Sequence, residues 1–446
     1  MVILIKNADF VIRDAGRIER HVDILIKDNR IAQVGKCDYN WCTDNAALEI
    51  IDASGKAVIP GLINAHTHLY QNLLKGRQDN LPLVEWCRDV TFPLCELIEK
   101  ERSQNKDESL GYYWSMMAAM EMLKNGTTTC LNLDMTLDSV FKAWREIGIR
   151  GIGAITCADM WISDSLKLDF EKIKEKILGF IDRWYRKPDE APLISVMFGP
   201  SAPFVCSEKL LSWIREEASR KKIAIHIHVA ETQYEVQLMI RERGLRPLEY
   251  LDKIGFLGSD VSAAHCIHLH PNELHVIKEK NVIPVYNPKS NMKLGSGIAP
   301  IAKMLSLGIN VGLGNDGSAS NDNLDLFEEM RAAALLQKVA AGDPSVITAR
   351  DVFRMATEGG ALACGIDAGT IDQGKLADIV LIDLNKPHLL PVTDIVNTIV
   401  YCARGSDVNS VLVNGQVLVR QGQLVSLSEE EVINETMSVV KHKMGI

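Results

Sequence analysis

The sequence of 446 residues contains no apolar run close to the length of about 20 residues that a membrane-spanning helix needs. It also lacks an excess of positive charge, since 49 Lys and Arg residues face 58 Asp and Glu residues and the net charge is −9. This balance disfavours non-specific binding to nucleic acid. The N-terminal residues show no secretory cleavage signature. We therefore expect a cytoplasmic protein whose partners include neither a membrane nor a nucleic acid.

The ten cysteines include no Cys-x-x-Cys pair, so neither a disulfide framework nor a thiolate zinc site is indicated. Cys130, Cys157 and Cys266 lie in apolar runs and are predicted to be reduced, buried thiols. Hydrophobic residues make up 47% and charged residues 24% of the chain. These proportions are ordinary for a globular protein that is long enough for more than one domain.

Three regions with different patterns divide the chain. Residues 1–57 read as short strands with tight turns, and residues 366–446 return to short strands before a terminal helix. Between them, residues 58–365 alternate eight short apolar runs with longer helical patterns. This alternation predicts an α/β fold, a parallel (β/α)8 barrel of the TIM type. We expect the two ends of the chain to form one small β-sandwich-like domain.

His66 and His68 stand at the end of the first barrel run, separated by one residue. Alternate residues of a strand point to the same face, so both imidazoles can reach one ion. Imidazole is a usual ligand of zinc, iron and nickel. Ligand-type or acid–base residues also follow three later runs: His228, Glu231, His265 and Asp316. Because catalytic residues of such barrels come from the carboxyl ends of several strands, these residues are predicted to form one metal site.

Four motifs resemble those of the deaminase branch of the amidohydrolase superfamily: PGLINAHTH at 60–68, HIHVAET at 226–232, AHCIHL at 264–269 and GNDGSASN at 314–321. The groups that the sequence resembles are the 5′-methylthioadenosine/S-adenosylhomocysteine deaminases and the s-triazine hydrolases, and the resemblance covers essentially the whole chain. It implies one divalent metal ion, zinc or alternatively iron or nickel, and a homo-oligomer.

Residue by residue, the resemblance implies a metal site with four ligands: His66, His68, His228 and Asp316. Glu231 and His265 would be catalytic, and Asp316 would also accept a proton from the attacking water. A bound ion lowers the pKa of its water, a glutamate can move a proton to the leaving amine, and an imidazole can stabilise the new oxygen. The run at 193–200 lacks the lysine that bridges two ions in other members, which favours a single ion.

Simpler interpretations exist for single residues. Asp316 precedes Gly317 and could be a turn residue, and Glu231 could favour a helix start. His226 shares the strand face of His228 and is expected to pack behind the ligands. Three further histidines are expected at the surface or as helix caps: His268, His270 and His275.

Substrate contacts are predicted from four positions: Trp86, Cys95, Ser201 and Tyr286. Trp86 resembles the pocket tryptophan of the nucleoside deaminases and is a candidate for stacking, with a core tryptophan as the alternative. At the other three positions the nucleoside deaminases have Glu, His and His. These departures put ribose recognition in doubt. The long segment from Tyr70 to Asn105 after the first barrel strand is expected to build or cover the pocket.

We therefore predict a metal-dependent aminohydrolase that removes the exocyclic amine of a small-molecule nitrogen heterocycle and releases ammonia. The heterocycle would be a purine or adenosine derivative, a pterin, a pyrimidine or an s-triazine. One alternative is a triazine-type hydrolase that expels chloride or an alkylamine from the same site. A non-catalytic scaffold on the same fold is the alternative of another class, and the complete ligand set argues against it.

Overall fold

The computed structural model describes residues 1–37, 48–105, 109–135, 138–187, 190 and 192–445. The N-terminal region forms seven short strands, most of them rich in Val, Ile and Leu: β1 (Val2–Ala8), β2 (Phe10–Ile12), β3 (Ile18–Glu19), β4 (Val22–Lys27), β5 (Arg30–Gly35), β6 (Leu48–Asp52) and β7 (Lys56–Pro60). Branched apolar side chains favour such pleated, half-buried segments.

The central region forms a ring of parallel strands: β8 (Leu62–His68), β9 (Thr127–Asp134), β10 (Arg150–Cys157), β11 (Ile194–Pro200), β12 (Ile225–Val229), β13 (Val261–His265), β14 (Ile283–Tyr286), β15 (Gly312–Leu313) and β16 (Asp316–Gly317). The last two share one position, because β15 pairs with β14 while β16, three residues on, pairs with β8. The strand order therefore closes on itself with eight positions, which confirms the predicted (β/α)8 barrel.

Helices alternate with the barrel strands, and several begin at side-chain caps such as Asp169, Ser207 and Thr232. The α-helices are α1 (Leu83–Trp86), α2 (Phe92–Asn105), α3 (Ser109–Lys124), α4 (Asp138–Ile147), α5 (Phe170–Trp184), α6 (Glu208–Lys221), α7 (Gln233–Arg243), α8 (Pro247–Lys253), α9 (Pro271–Lys280), α10 (Pro288–Lys293), α11 (Ile301–Ser306), α12 (Ser318–Asn321), α13 (Leu326–Ala341), α14 (Ala349–Arg354), α15 (Gly360–Cys364), α16 (Ile395–Asn397) and α17 (Glu429–Met444). Among the described residues, no helix combines the length and the apolar character needed to cross a membrane.

The C-terminal region adds four strands: β17 (Ile379–Asp383), β18 (Val408–Val413), β19 (Gln416–Arg420) and β20 (Gln423–Leu424). These join three N-terminal strands in a seven-stranded sheet with the order β20-β19-β18-β17-β7-β2-β3, next to a four-stranded sheet β5-β4-β1-β6. Ile5 and Ile26 of the smaller sheet share a buried apolar cluster with Leu381 and Leu412 of the larger one. The predicted domain from both termini is thus confirmed, while its boundaries at residues 57 and 366 stay a prediction.

A buried ion pair connects the lower end of the barrel to this domain. Arg150, at the start of β10, is 1% exposed and donates from Nε and Nη2 to the two carboxylate oxygens of Asp378 at 2.8 and 3.0 Å. Nη1 donates to the carbonyl of Pro192 at 2.8 Å, and Nη2 also reaches the amide oxygen of Asn414 at 3.2 Å. The upper, carboxyl end of the barrel is left free to carry a site.

Candidate active site

The predicted ligands meet at the carboxyl ends of the barrel strands. His68 Nε2 lies 3.1 Å from His228 Nε2 and 3.3 Å from Asp316 Oδ1, and His66 Nε2 lies 3.4 Å from the same oxygen. The candidate ligand atoms of His66, His68 and Asp316 all lie within 4.8 Å of one another, as do those of His66, His228 and His265. Strands β8, β12 and β16 therefore bring the four predicted ligands together, and we call these residues the cluster: His66, His68, His228 and Asp316.

The cluster fits a divalent ion. Within the described part of the chain, His66 Nε2 has no hydrogen-bond partner, although it is a buried polar atom in the closed interior of the barrel. Two tetrahedral ligands at about 2.1 Å from an ion lie roughly 3.4 Å apart, which matches the separations in the cluster. Imidazole nitrogens and a carboxylate oxygen are also a usual donor set of catalytic zinc sites.

Backbone carbonyls orient two of the imidazoles. His68 Nδ1 donates to the carbonyl of Leu133 at 2.5 Å, and His228 Nδ1 donates to the carbonyl of Ser201 at 2.6 Å. A proton fixed on Nδ1 leaves the Nε2 lone pair facing the cluster, as in most histidine metal sites.

His66 is held by a neighbouring histidine. Its Nδ1 lies 2.7 Å from Nε2 of His226, whose Nδ1 lies 2.7 Å from the hydroxyl of Ser262. His226 therefore packs behind the cluster, as its place on β12 indicates. Surface or helix-cap positions were expected for three later histidines, and two of them have such positions: His270 caps α9, and His275 is exposed.

Burial sets the charge of the cluster. It lowers the pKa values of His66, His68 and His228, so these imidazoles are neutral and can give their lone pairs to an ion. Burial alone would raise the pKa of Asp316, but the neighbouring histidines outweigh it and hold that pKa well below its usual range. The cluster thus presents neutral nitrogens and one carboxylate.

Glu231 stands beside the cluster on the turn after β12. Its Oε2 is 3.5 Å from His265 Nε2, and its Oε1 accepts from the hydroxyl of Ser296 at 3.3 Å. Burial is the main cause of its raised pKa, which suits a carboxyl group that both gives and takes a proton. The carboxylate of Glu235 holds the turn by accepting from the backbone N–H groups of Ala230 at 3.0 Å and of Glu231 at 2.8 Å.

His265 ends β13 with a left-handed backbone, φ +71°, and Asp316 has φ +61°. The ring of His265 stacks on that of His228, with centroids 5.4 Å apart and planes 19° from parallel. Burial disfavours the charged imidazole, but the carboxylates of Glu231 and Asp316 outweigh it, so the pKa of His265 is raised. The ring is well placed to donate a hydrogen bond to a developing oxyanion.

Two serines of the site were not among the predicted residues. The hydroxyls of Ser290 and Ser320 donate to Asp316 Oδ2 at 2.5 and 3.3 Å, which leaves Oδ1 for the cluster. Ser320 lies within the 314–321 motif, so that motif offered a signal for it. Ser290 follows a different strand, and its sequence context alone does not connect it with Asp316.

A cavity of about 320 Å³ opens from the cluster, and Trp86, Cys95 and Ser201 are among its lining residues. Tyr286 is not one of the described residues that line it. Its side chain is fully buried elsewhere, and its hydroxyl accepts from Gln337 Nε2 at 3.3 Å. The predicted substrate contact of Tyr286 therefore stays a prediction without a cavity contact to support it.

The outer part of the cavity is mainly apolar. The segment after β8 supplies Leu83, Val84, Trp86 and Phe92, so this segment builds one wall of the cavity, in line with the expectation. Trp161 also lines the cavity, and the centroid of its ring lies 5.8 Å from that of Phe92. The buried indole N–H of Trp86 has no hydrogen-bond partner among the residues that the structure describes. Such walls suit a flat heteroaromatic ring better than a strongly charged molecule.

A buried carboxylate, Asp134, also lines the cavity at the end of β9. It accepts from the backbone N–H groups of Tyr70 at 2.9 Å and Met135 at 2.6 Å. Burial raises its pKa to about 7. The sequence analysis did not single it out, because an aspartate at a strand end is common in turns.

Comparison with known proteins agrees with this geometry. A model of the amidohydrolase family matches residues 57–418. The chain is 40% identical over 419 residues to the 5-methylthioadenosine/S-adenosylhomocysteine deaminase of Thermococcus sibiricus, with 94% of each chain covered. It is 41% identical over 431 residues to the 5′-deoxyadenosine deaminase of Methanothermobacter thermautotrophicus, with 97% of this chain and 96% of that protein covered.

Among solved structures, the fold is similar to that of an atrazine chlorohydrolase from Arthrobacter aurescens TC1 complexed with zinc. The TM-score is 0.91 at 25% identity, with 98% of this chain and 100% of the other covered. The chain therefore belongs to the amidohydrolase family. The prediction of an amidohydrolase-type hydrolase acting on C–N bonds, with the deaminase and triazine-hydrolase resemblance, is confirmed.

Proposed function

We propose that the chain is a zinc-dependent aminohydrolase that removes the 6-amino group of an adenine-type ring and releases ammonia. The observation that carries the proposal is the position of Glu231 and His265, 3.5 Å apart, beside a cluster of three histidines and Asp316. The names of the two relatives support an adenosine derivative as the substrate. The cavity supports a flat ring, since its outer walls are mainly apolar.

Four residues would hold the ion: His66, His68, His228 and Asp316. A bound divalent ion would lower the pKa of a water molecule towards neutrality. The remaining chemistry belongs to the side chains around it. The Glu231 carboxyl group gives its proton to a ring nitrogen, which makes the adjacent carbon electrophilic. His265 donates a hydrogen bond to the oxygen as it bonds to that carbon.

The proton balance closes within the site. The water loses two protons as its oxygen becomes the carbonyl oxygen of the product, and Asp316 Oδ1 is placed to accept the first of them. One proton goes to the departing amine, which leaves as ammonia when the C–N bond breaks. The other restores Glu231, and the proton that Glu231 gave stays on the ring nitrogen of the product.

A triazine-type reaction is the second candidate, and the structural similarity to the atrazine chlorohydrolase favours it. Chloride leaves without taking a proton, whereas an amine needs one. Burial raises the pKa of Glu231, which favours a protonated carboxyl group, and this supports the amine as leaving group. A non-catalytic scaffold would need neither Glu231 nor His265 beside the cluster.

The test is a release assay with purified, zinc-loaded protein on adenine, 5′-deoxyadenosine, methylthioadenosine, a pterin, an aminopyrimidine, melamine and atrazine. We expect ammonia from an adenine-type substrate and no chloride from atrazine. Chloride release without ammonia release would reverse the assignment, and the absence of both products with every compound would refute it.

We also infer a homo-oligomer from the family resemblance, and light scattering of the protein eluted from a sizing column would measure its mass.

A further inference from the structure

One short helix contacts two different functional residues. Helix α10 follows β14, which lies between the strands of His265 and Asp316 in the barrel. Its consecutive residues Ser290 and Asn291 are both buried, at 0% and 1% exposure. Ser290 donates to Asp316 Oδ2 at 2.5 Å, and the side-chain oxygen of Asn291 lies 2.9 Å from His265 Nδ1. Through these two side chains, helix α10 is hydrogen-bonded to a residue at the end of β13 and to a residue of β16.

The backbone alone does not fix the direction of the His265 ring. A left-handed φ of +71° is a sparsely populated conformation for a residue with a side chain, and it persists only where surrounding contacts maintain it. Within the described residues, Asn291 is the hydrogen-bond partner of the His265 ring, whose other nitrogen faces Glu231 Oε2 at 3.5 Å. Stacking on His228 fixes the plane of the ring but not which nitrogen points inward.

The chemistry of an amide selects between the two nitrogens. An amide oxygen accepts only, so it holds a proton on Nδ1 whether the ring is neutral or charged. If the amide nitrogen of Asn291 faced Nδ1 instead, two N–H donors would point at each other whenever the ring is charged, and neither would have an acceptor. Because the oxygen of Asn291 faces Nδ1, the ring donates from Nδ1, and Nε2 is the nitrogen that faces Glu231.

We propose that Asn291 is a positioning residue: its amide oxygen accepts a hydrogen bond from His265 Nδ1 and so holds the ring with Nε2 towards the reacting oxygen and Glu231. Asn291 itself touches neither the substrate nor the ion. The inference depends on the proposed function for its catalytic consequence, but the position of the proton can be measured without activity.

The first measurement is nitrogen NMR of metal-free protein labelled at histidine nitrogen, at a pH where the ring is neutral. We expect His265 to carry its proton on Nδ1. A ring protonated on Nε2 alone would overturn the proposal, whatever the activity of the enzyme. This measurement needs only a mutant to assign the signal, and His265→Asn serves for that.

The second measurement compares two substitutions at one position. Asn291→Asp keeps an acceptor at Nδ1, whereas Asn291→Ala removes it. Loss of such a partner typically lowers activity by roughly 10- to 100-fold, so we expect Asn291→Ala to lose kcat in that range with KM and metal content unchanged. Asn291→Asp should restore most of the rate and retain the Nδ1 proton signal. The matched control is Asn272→Ala, at an exposed position of α9.

Equal kcat values for Asn291→Ala and the wild type would refute the proposal. So would a loss of kcat in Asn291→Ala that leaves the proton on Nδ1, because the effect would then be structural. If neither variant folds, the wild-type NMR measurement still decides. A wild-type protein that releases no ammonia from any compound but shows the Nδ1 proton would refute the proposed function and leave the arrangement of His265 and Asn291 standing.

Discussion

The carboxylate of Glu231 and the imidazole of His265 face each other across 3.5 Å at the ends of the neighbouring strands β12 and β13. Each group shifts the pKa of the other: Glu231 raises the pKa of His265, and His265 lowers the pKa of Glu231, so each favours the charged form of its neighbour. Burial acts against both charged forms. A proton can therefore reside on either group, which is what a reaction that moves protons to and from a ring requires.

The first prediction concerns the metal. Three imidazoles and one carboxylate converge, so purified protein should bind close to one equivalent of a divalent ion, and zinc should support activity. His228→Ala removes a ligand that lies 3.1 Å from His68, and it should lose metal and activity together. Elemental analysis measures the content. His275→Ala, at an exposed position, is the control, and two equivalents in the site would contradict the prediction.

The second prediction concerns Glu231. Glu231→Gln keeps the size of the side chain and can still pair with Ser296, but it cannot carry a proton. A general acid–base group is typically worth about 10²–10⁴-fold, so kcat should fall by that factor while the metal stays bound. Steady-state kinetics and metal analysis on one preparation test this. Glu242→Gln on the exposed side of α7 should be unchanged, and a change of only a few-fold in Glu231→Gln would remove the residue from the mechanism.

How much the sequence reveals differs between residues of the site. His66 and His68 were predictable because the period of a strand places both on one face. The same period limits the prediction at Tyr286. Because neighbouring residues of a strand face opposite sides, a difference of one position decides whether its side chain faces the cavity or the surrounding helices. Its hydroxyl bonds Gln337 of α13, outside the barrel. Ser290 and Asn291 contact residues at the ends of neighbouring strands, Asp316 and His265. These contacts could not be predicted from the sequence, because only the closed barrel brings the residues together.

The third prediction concerns the junction of the two domains. The Arg150–Asp378 pair is almost fully buried, at 1% and 2% side-chain exposure. Removing one partner leaves an uncompensated buried charge, which typically destabilises a protein by about 3–5 kcal/mol. Arg150→Met should therefore lower the free energy of unfolding by several kcal/mol and leave kcat nearly unchanged in the folded fraction. Arg241→Met, whose pair with Glu242 is exposed, is the matched control for denaturant unfolding.

The fourth prediction concerns pH and Glu329, which is fully buried on α13. Burial raises its pKa from 4.5 to about 8. The folded protein thus holds this proton to higher pH than the unfolded chain does, and the free energy of unfolding falls as the pH rises between those two values. Glu329→Gln should flatten that part of the stability profile. Glu328→Gln should not, because Lys289 and Asn323 hold the pKa of Glu328 below its usual value despite partial burial. Equal slopes in the wild type and Glu329→Gln would contradict the assignment.

The last prediction concerns the ribosyl group. Cys95 lines the cavity, and burial together with the Asp134 carboxylate raises the pKa of its thiol, so it stays neutral and cannot grip two hydroxyls as a carboxylate does. The neighbouring Glu96 accepts from Ser165 at 2.9 Å and is not among the described lining residues. We therefore expect kcat/KM for methylthioadenosine or S-adenosylhomocysteine not to exceed greatly that for the best free amino-heterocycle. Trp86 would supply stacking for both classes.

Paired kinetics on one preparation decide between recognition of the ring alone and recognition of the ring with its sugar. A site built to bond a hydroxyl can discriminate by 10⁴-fold or more, so a preference of roughly a thousandfold for the nucleosides would show that another group holds the ribose. Asp134 is the candidate for that outcome, because it is a buried carboxylate on the cavity wall. Asp134→Asn would then lower kcat/KM for nucleosides and spare the free heterocycle. If the prediction holds, the same variant should affect both classes alike, since Asp134 would act only through the backbone N–H groups of Tyr70 and Met135.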